Sequence, residues 1–197
     1  MKPTVHGVGI NDSKEKITTN NKSKQSGICP YYSIWKSILQ RCYSPKCQEK
    51  HPTYKGCYVC EDWKYFSNFK QWMEKQDWEG KHLDKDLLCK GNKVYCPDNC
   101  VFISRLLNNF LLDSNKARGE FLIGVSKKGN RYQSNVGNPL IKKREYLGLY
   151  LTEQEAHAAW RKRKHEIAVA LSKLETNPDI IKALTTRYKE RDYEIEP

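Results

Sequence analysis

The chain has 197 residues, room for one large domain or two small ones, and 35 Lys and Arg against 23 Asp and Glu give it a net charge of +12. That balance points to a polyanionic partner, nucleic acid ahead of an anionic membrane. No run of 18 apolar residues exists and the opening MKPTVHGVGINDSKEK holds no apolar signal core, so neither a membrane span nor a secretory leader is expected, and the chain is expected to be soluble and intracellular.

Residues 1–28 are polar, with Gly7, Gly9 and a Ser, Thr, Asn and Lys run from Asp12 to Ser26. They predict a short ordered turn followed by a mobile connection. The alternative is that Lys14, Lys16, Lys22 and Lys24 form an arm lying on DNA. Tyr31, Ile34, Trp35, Ile38, Leu39 and Cys42 then recur on one face of a helix. Pro45 and Pro52 punctuate a loop, Tyr58–Cys60 is a brief apolar run, and Asp62 is placed to cap a second helix. That helix carries the stripe Trp63, Phe66, Phe69, Trp72 and Met73 and ends before Gly80. Both helices read as core that holds the next segment rigid.

All eight cysteines lie between Cys29 and Cys100. Cys57 and Cys60 form a C-x₂-C, and Cys42 with Cys47, or Cys96 with Cys100, can supply a second pair for a structural Zn²⁺. The alternative is reduced thiols buried as small hydrophobes.

The segment HLDKDLLCKGNKVYCPDNCVFISRLLNNF, residues 82–110, reads as strand, loop, strand and helix. The first strand is expected over His82–Leu88, with His82, Asp84 and Asp86 on one face and Lys85 on the other. Cys89–Pro97 is the loop and Cys100–Ile103 a buried strand. Ser104 caps a helix with Leu106, Leu107, Phe110 and Leu111 at helical spacing.

This segment resembles the ββα-metal motif of HNH endonucleases. Asp84-Lys85 stands where that family has Asp-His, and Asn99 and Asn108 keep its nine-residue step. The resemblance implies that Asp84 and Asn108 hold one Mg²⁺ or Mn²⁺ and that Asn99 pins the loop. Such an oxygen-rich, incomplete shell suits a hard cation that also binds substrate phosphate. The usual catalytic His is replaced by Lys85, so the general base is left between Lys85, His82 and Asp86. Tyr31, Trp35, Arg41-Cys42-Tyr43, Val59-Cys60-Glu61-Asp62-Trp63, Phe66, Phe69, LDKD and NKVYCPDNC together resemble a recurrent type of phage HNH-like protein over most of residues 31–112.

Residues 113–120, DSNKARGE, read as a linker. Beyond it three strands are expected over Leu122–Ser126, Arg131–Val136 and Arg144–Tyr150, with turns at Lys128-Gly129-Asn130 and Gly137–Lys143. Thr152 and Glu155 form a capping box for a helix with Ala156, Ala159, Trp160 and Ile167 buried. Arg161-Lys162-Arg163-Lys164 circles a turn of that helix, so one or two of the four can reach a DNA backbone. Asn177 and Pro178 open a last helix with Ile180, Ile181, Leu184 and Tyr188 on its apolar side.

Gly124-Val125, Tyr132-x-Ser134-x-Val136, Tyr146-Leu147-Gly148-Leu149-Tyr150 and Thr152-x₂-Glu155-Ala156-x₂-Ala159 resemble the plant ethylene-response-factor (Apetala2-type) DNA-binding domain over residues 121 to about 170. That domain also occurs beside HNH domains in phage homing nucleases, and its sheet enters the major groove. Alternation then turns Arg131, Gln133 and Asn135 toward the bases, with Arg144 and Tyr146 on the same face. Lys127, Lys128, Lys142 and Lys143 are placed for phosphates. Lys116, Arg118, Lys127, Lys128, Arg131, Lys142, Lys143 and Arg144, against Glu120 alone, concentrate positive charge in residues 116–144.

The sequence therefore predicts an α+β chain: a helical, ββα-metal domain over 29–112, then a three-stranded antiparallel sheet with a helix over 121–190. The expected function is a metal-dependent endonuclease that nicks double-stranded DNA as a monomer in the cytoplasm of a phage-infected bacterium. The alternatives are a DNA-binding protein with a degenerate nuclease domain and a zinc-braced scaffold for a protein partner.

Overall fold

The computed structural model describes residues 4–14, 17–19, 27–112 and 120–189, and the chain divides into two compact units, Met1–Ile103 and Ser104–Pro197. Both mix helices with small sheets, so the class is α+β. No helix among the described residues is long and apolar enough to cross a membrane.

In the first unit β1 (Thr18–Thr19) and β2 (Gly27–Ile28) pair antiparallel and lead into α1 (Pro30–Tyr43). Pro30 starts α1 because its missing N–H costs nothing in the first turn, and Trp35, Ile38, Leu39 and Cys42 are its buried stripe. Pro45, read as loop punctuation, likewise starts a helix, α2 (Pro45–Lys50), where Ser44 Oγ accepts from Cys47 N. β3 (Tyr58–Val59) follows.

Asp62 does not cap the next helix. It opens a 3₁₀ turn, Asp62–Lys64, and α3 (Phe66–Met73) starts after Tyr65. The cap comes from Asp12 instead, whose Oδ1 accepts from Ser67 N at 2.9 Å. The expected stripe is thereby split, yet its aromatic rings still converge: Trp63 meets Phe69 at 5.0 Å and Trp72 at 4.6 Å between ring centroids. Trp35 Nε1 donates to Trp63 O at 2.7 Å, which satisfies the only polar atom of a fully buried indole. Residues near the N-terminus are part of this core. A side chain at Gly9 would collide with Leu39 and Trp35, and Ile10 bridges to Tyr65. Lys16, Lys22 and Lys24 of the expected basic arm lie outside the described residues.

The unit is completed by β4 (His82–Asp84), β5 (Val94–Tyr95) and β6 (Val101–Ile103). β4 pairs antiparallel with β6, and β5 pairs parallel with β3, so residues read as an uninterrupted loop from Cys89 to Pro97 contain a strand.

The second unit begins with α4 (Arg105–Leu111), capped as expected by Ser104 Oγ on Leu107 N. Residues 113–119 of the expected linker lie outside the described residues. β7 (Val125–Lys128), β8 (Arg131–Asn138) and β9 (Lys143–Tyr150) form an antiparallel sheet in that order. The first strand starts three residues later than predicted because Gly124 adopts φ +83° where a Cβ would strike the Trp160 ring. β8 runs two residues further than predicted, through Gly137, because Asn138 Nδ2 holds Glu145 Oε1 at 2.6 Å and keeps the hairpin paired. α5 (Glu153–Ser172) opens with the Thr152–Glu155 capping box. α6 (Pro178–Arg187) opens with Asn177 Oδ1 accepting from Asp179 N and Ile180 N. Ala156, Trp160, Ile167, Ile180 and Leu184 are buried between these helices and the sheet.

Candidate metal centre and nucleic-acid interface

The β4–β6 register opposes His82 to Ile103, Leu83 to Phe102 and Asp84 to Val101. Leu83 and Phe102 share the face that packs into the core, where Phe102 stacks on Trp72 at 5.7 Å. His82 and Asp84 therefore share the opposite face. His82 is exposed and Asp84 half-buried.

Asp84 also ends the strand. Its Oδ1 accepts from the backbone N–H of Asp86 at 2.8 Å and of Leu87 at 2.6 Å, an arrangement that competes with sheet pairing. The predicted strand to Leu88 is thus cut short, and Asp86 does not continue the face of His82 and Asp84. Two backbone N–H groups hold the Asp84 carboxylate in one orientation, and no protein donor reaches Oδ2 among the described residues.

Lys85 turns inward. It is 6 % exposed, and its ammonium donates to both carboxylate oxygens of Asp86 at 2.8 Å and to Asn92 O at 2.6 Å. These three contacts tie the Lys85 side chain to the loop. Asn92 closes the loop from the other side. Its Nδ2 donates to Lys85 O and Val94 O, and its Oδ1 accepts from Val94 N at 3.0 Å and Asn99 Nδ2 at 3.3 Å. Asn99 thus touches the loop through Asn92, and Asn92 is the hub. The only sequence signal for it was an amide following Gly91, whose φ is +79°.

Asn108 lies in the second unit, half-buried on α4, so its role toward Asp84 remains what the resemblance implies. The C-terminal end of α4 is held by Lys164 of α5. That buried ammonium donates to Phe110 O at 2.6 Å and lies 3.6 Å from the Phe110 ring centroid. A cation there satisfies a terminal carbonyl and opposes the negative end of the helix dipole.

The cysteines are free thiols. Burial, with Cys57 close by, pushes the Cys42 thiol up to about 12, and burial also raises Cys60 and Cys100. Among the described residues no three His, Cys, Asp or Glu side chains come together as a metal-binding group. Cys42, Cys57, Cys60, Cys96 and Cys100, which the sequence offers for a possible zinc site, form no such group. A Mg²⁺ held by one carboxylate, an amide, waters and phosphate needs no such group, and the fixed, half-buried Asp84 carboxylate suits it.

On the second unit's sheet, Ser134, Val136 and Asn138 are buried, which turns Arg131, Gln133, Asn135 and Gly137 to the outer face. The register sets Lys128 opposite Arg131, Ser126 and Leu149 beside Gln133, Tyr146 opposite Asn135, and Arg144 opposite Gly137. Lys127, Lys128, Arg131, Lys142, Lys143, Arg144 and Tyr146 are exposed. A cleft of about 710 Å³ is lined in part by Phe110, Lys142, Lys143, Arg144 and Trp160.

Glu145, the one acid in these strands, points the other way. Arg163 of α5 donates to it from Nε at 2.6 Å and from Nη2 at 3.1 Å, a two-point clasp that, with Asn138, holds its carboxyl below the usual range. Of the four consecutive basic residues on α5, Arg163 and Lys164 are thus internal ties, and Lys162 is exposed. No family model, curated protein or solved structure matches the chain.

Proposed function

We propose that this chain is a divalent-metal-dependent DNA endonuclease of the HNH-like, homing or genome-processing type, nicking one strand of a duplex as a monomer. The supporting observation is the outer face of the β7–β9 sheet. It bears exposed cations and amides, while its single acid is turned inward to Arg163. In this reading the face enters the major groove, with Arg131 and Arg144 reaching guanine, Gln133 and Asn135 adenine, and Lys127, Lys128, Lys142 and Lys143 phosphates.

Cleavage is assigned to the hairpin. Asp84 presents Oδ2 as the metal anchor while its Oδ1 is fixed by two N–H groups, and Asn108 is the second ligand implied by the resemblance. A cation bound there supplies charge stabilisation for the leaving 3′ oxygen. His82, exposed on the same strand face about 7 Å along from Asp84, takes the proton of the attacking water. Lys85 and Asp86, bonded to each other, hold the loop.

The second reading, a DNA-binding protein that does not cut, is favoured by one observation: the family's histidine position holds an ammonium locked in three hydrogen bonds. Supercoiled plasmid incubated with the full chain and Mg²⁺ or Mn²⁺ separates the two. Open circles from wild type and none from Asp84→Ala support the nuclease, and salt-sensitive binding without open circles leaves the second reading.

A further inference from the structure

We infer that the outer face of the β7–β9 sheet is built for a duplex site with A·T pairs at its centre and a guanine toward each end. This rests on the reading that the face enters the major groove. Its basis is the register, which sorts the outward side chains into four rows.

The end rows are cationic. Arg131 and Lys128 face each other beside the β7–β8 turn, and at the far end Arg144 stands opposite Gly137 with no side chain across from it. The middle rows carry the amides. Gln133 lies between Ser126 and Leu149, and Asn135 lies opposite Tyr146.

That pairing depends on a bulge. Tyr146 and Leu149 are three apart, so unbroken alternation would send them to opposite faces. The register shift at Ser134/Asn135 leaves Leu147 without a partner, and Gly148, at φ +130°, passes through the irregularity. Both Tyr146 and Leu149 thereby come to the outer face, 60 % and 38 % exposed.

The chemistry of the rows selects base pairs. A carboxamide has one donor and one acceptor side, which matches adenine N7 and N6–H₂, whereas guanine N7 and O6 are both acceptors and match the paired donors of Arg. The partner of each adenine is a thymine, whose methyl group takes an apolar contact of the kind Leu149 and Tyr146 offer beside the amides. Cytosine N4–H₂ is read best by a carboxylate, and Glu145, the acid in these strands, is clasped on the inner side. From Arg131 to Gly137 β8 rises about 20 Å, roughly six base-pair rises, which sets the distance between the guanines.

The test uses the full chain. Selection from random duplexes is expected to return sites with A·T pairs between guanines about six base pairs apart. Replacing central thymines by uracil, which deletes only the methyl, should weaken wild type about fourfold per contacted methyl, and Leu149→Ala should lose that sensitivity at its own position. Salt-sensitive binding with a G·C centre, or uracil duplexes bound by wild type as tightly as thymine duplexes, overturns this inference and leaves the DNA-binding reading standing. If no salt-sensitive duplex binding is found, both fall.

Discussion

The loop after Asp84 and the outer face of the β7–β9 sheet both concentrate charged and amide side chains, and they use them in opposite ways. In the loop, Lys85, Asp86, Asn92 and Asn99 bond to one another and to backbone, and these bonds hold the loop's shape. On the sheet, Lys128, Arg131, Arg144 and Tyr146 are left to solvent, and the one acid is removed to the far side. Composition does not distinguish these uses. A lysine whose donors are filled maintains structure, and a lysine whose donors meet water is available to a phosphate.

The sharpest way to break the comparison is at Asp84, where both uses are assigned to one carboxylate: Oδ1 holds the loop, and Oδ2 is the proposed metal anchor. Asp84→Ala should reduce nicking by about 10³-fold or more, the loss of several kcal/mol of charge stabilisation, with duplex affinity nearly unchanged by gel shift. Asp84→Asn keeps an acceptor for Asp86 N and Leu87 N. It should restore the urea midpoint without restoring nicking, which a purely structural Asp84 would not do.

Lys85 comes next. Lys85→Ala leaves the Asp86 carboxylate and Asn92 carbonyl without their cation and should destabilise the fold by about 1–3 kcal/mol, a range lowered because Asp86 is 43 % exposed. Lys85→His should not raise nicking per folded molecule. If it cuts better than wild type, the family position is a working base site and the loop is not mainly a lock.

On the sheet, Gln133→Ala and Arg144→Ala should each cost about 1–3 kcal/mol on the preferred site and relax the selected sequence there. Lys142→Ala should weaken all duplexes alike and flatten the salt dependence. Identical selected sequences for wild type and both base-facing variants would mean that the outer face is solvated structure.

The smallest effect is expected at Glu145. Its carboxyl is held low by Arg163 and Asn138, so its contribution is present above the ordinary carboxylate range and fades as pH falls through the lowered folded value. The stability difference between wild type and Glu145→Gln should be under about 1 kcal/mol at pH 7 and should shrink in acid, read from thermal melts. A difference that grows on acidification would contradict the clasp.

What the sequence determined by itself was local. The Ser104, Thr152–Glu155 and Asn177–Pro178 helix starts, the Trp35–Ile38–Leu39–Cys42 stripe and the inward Ser134 and Val136 are each encoded within a few residues, where caps and periodicity act. The tertiary structure alone decided where distant groups went. Asp12 caps α3 from 55 residues away, β3 pairs with β5 across the hairpin, and the Asn92 carbonyl holds the Lys85 side chain in the loop. Arg163 is what the inward Glu145 meets, and one unpaired residue in β9 brings Leu149 to the face that alternation denied it. The physical reason is common to all five: an isolated side chain's charge and polarity are properties of its sequence position, but which donor or acceptor it meets is fixed only when the fold brings the two together.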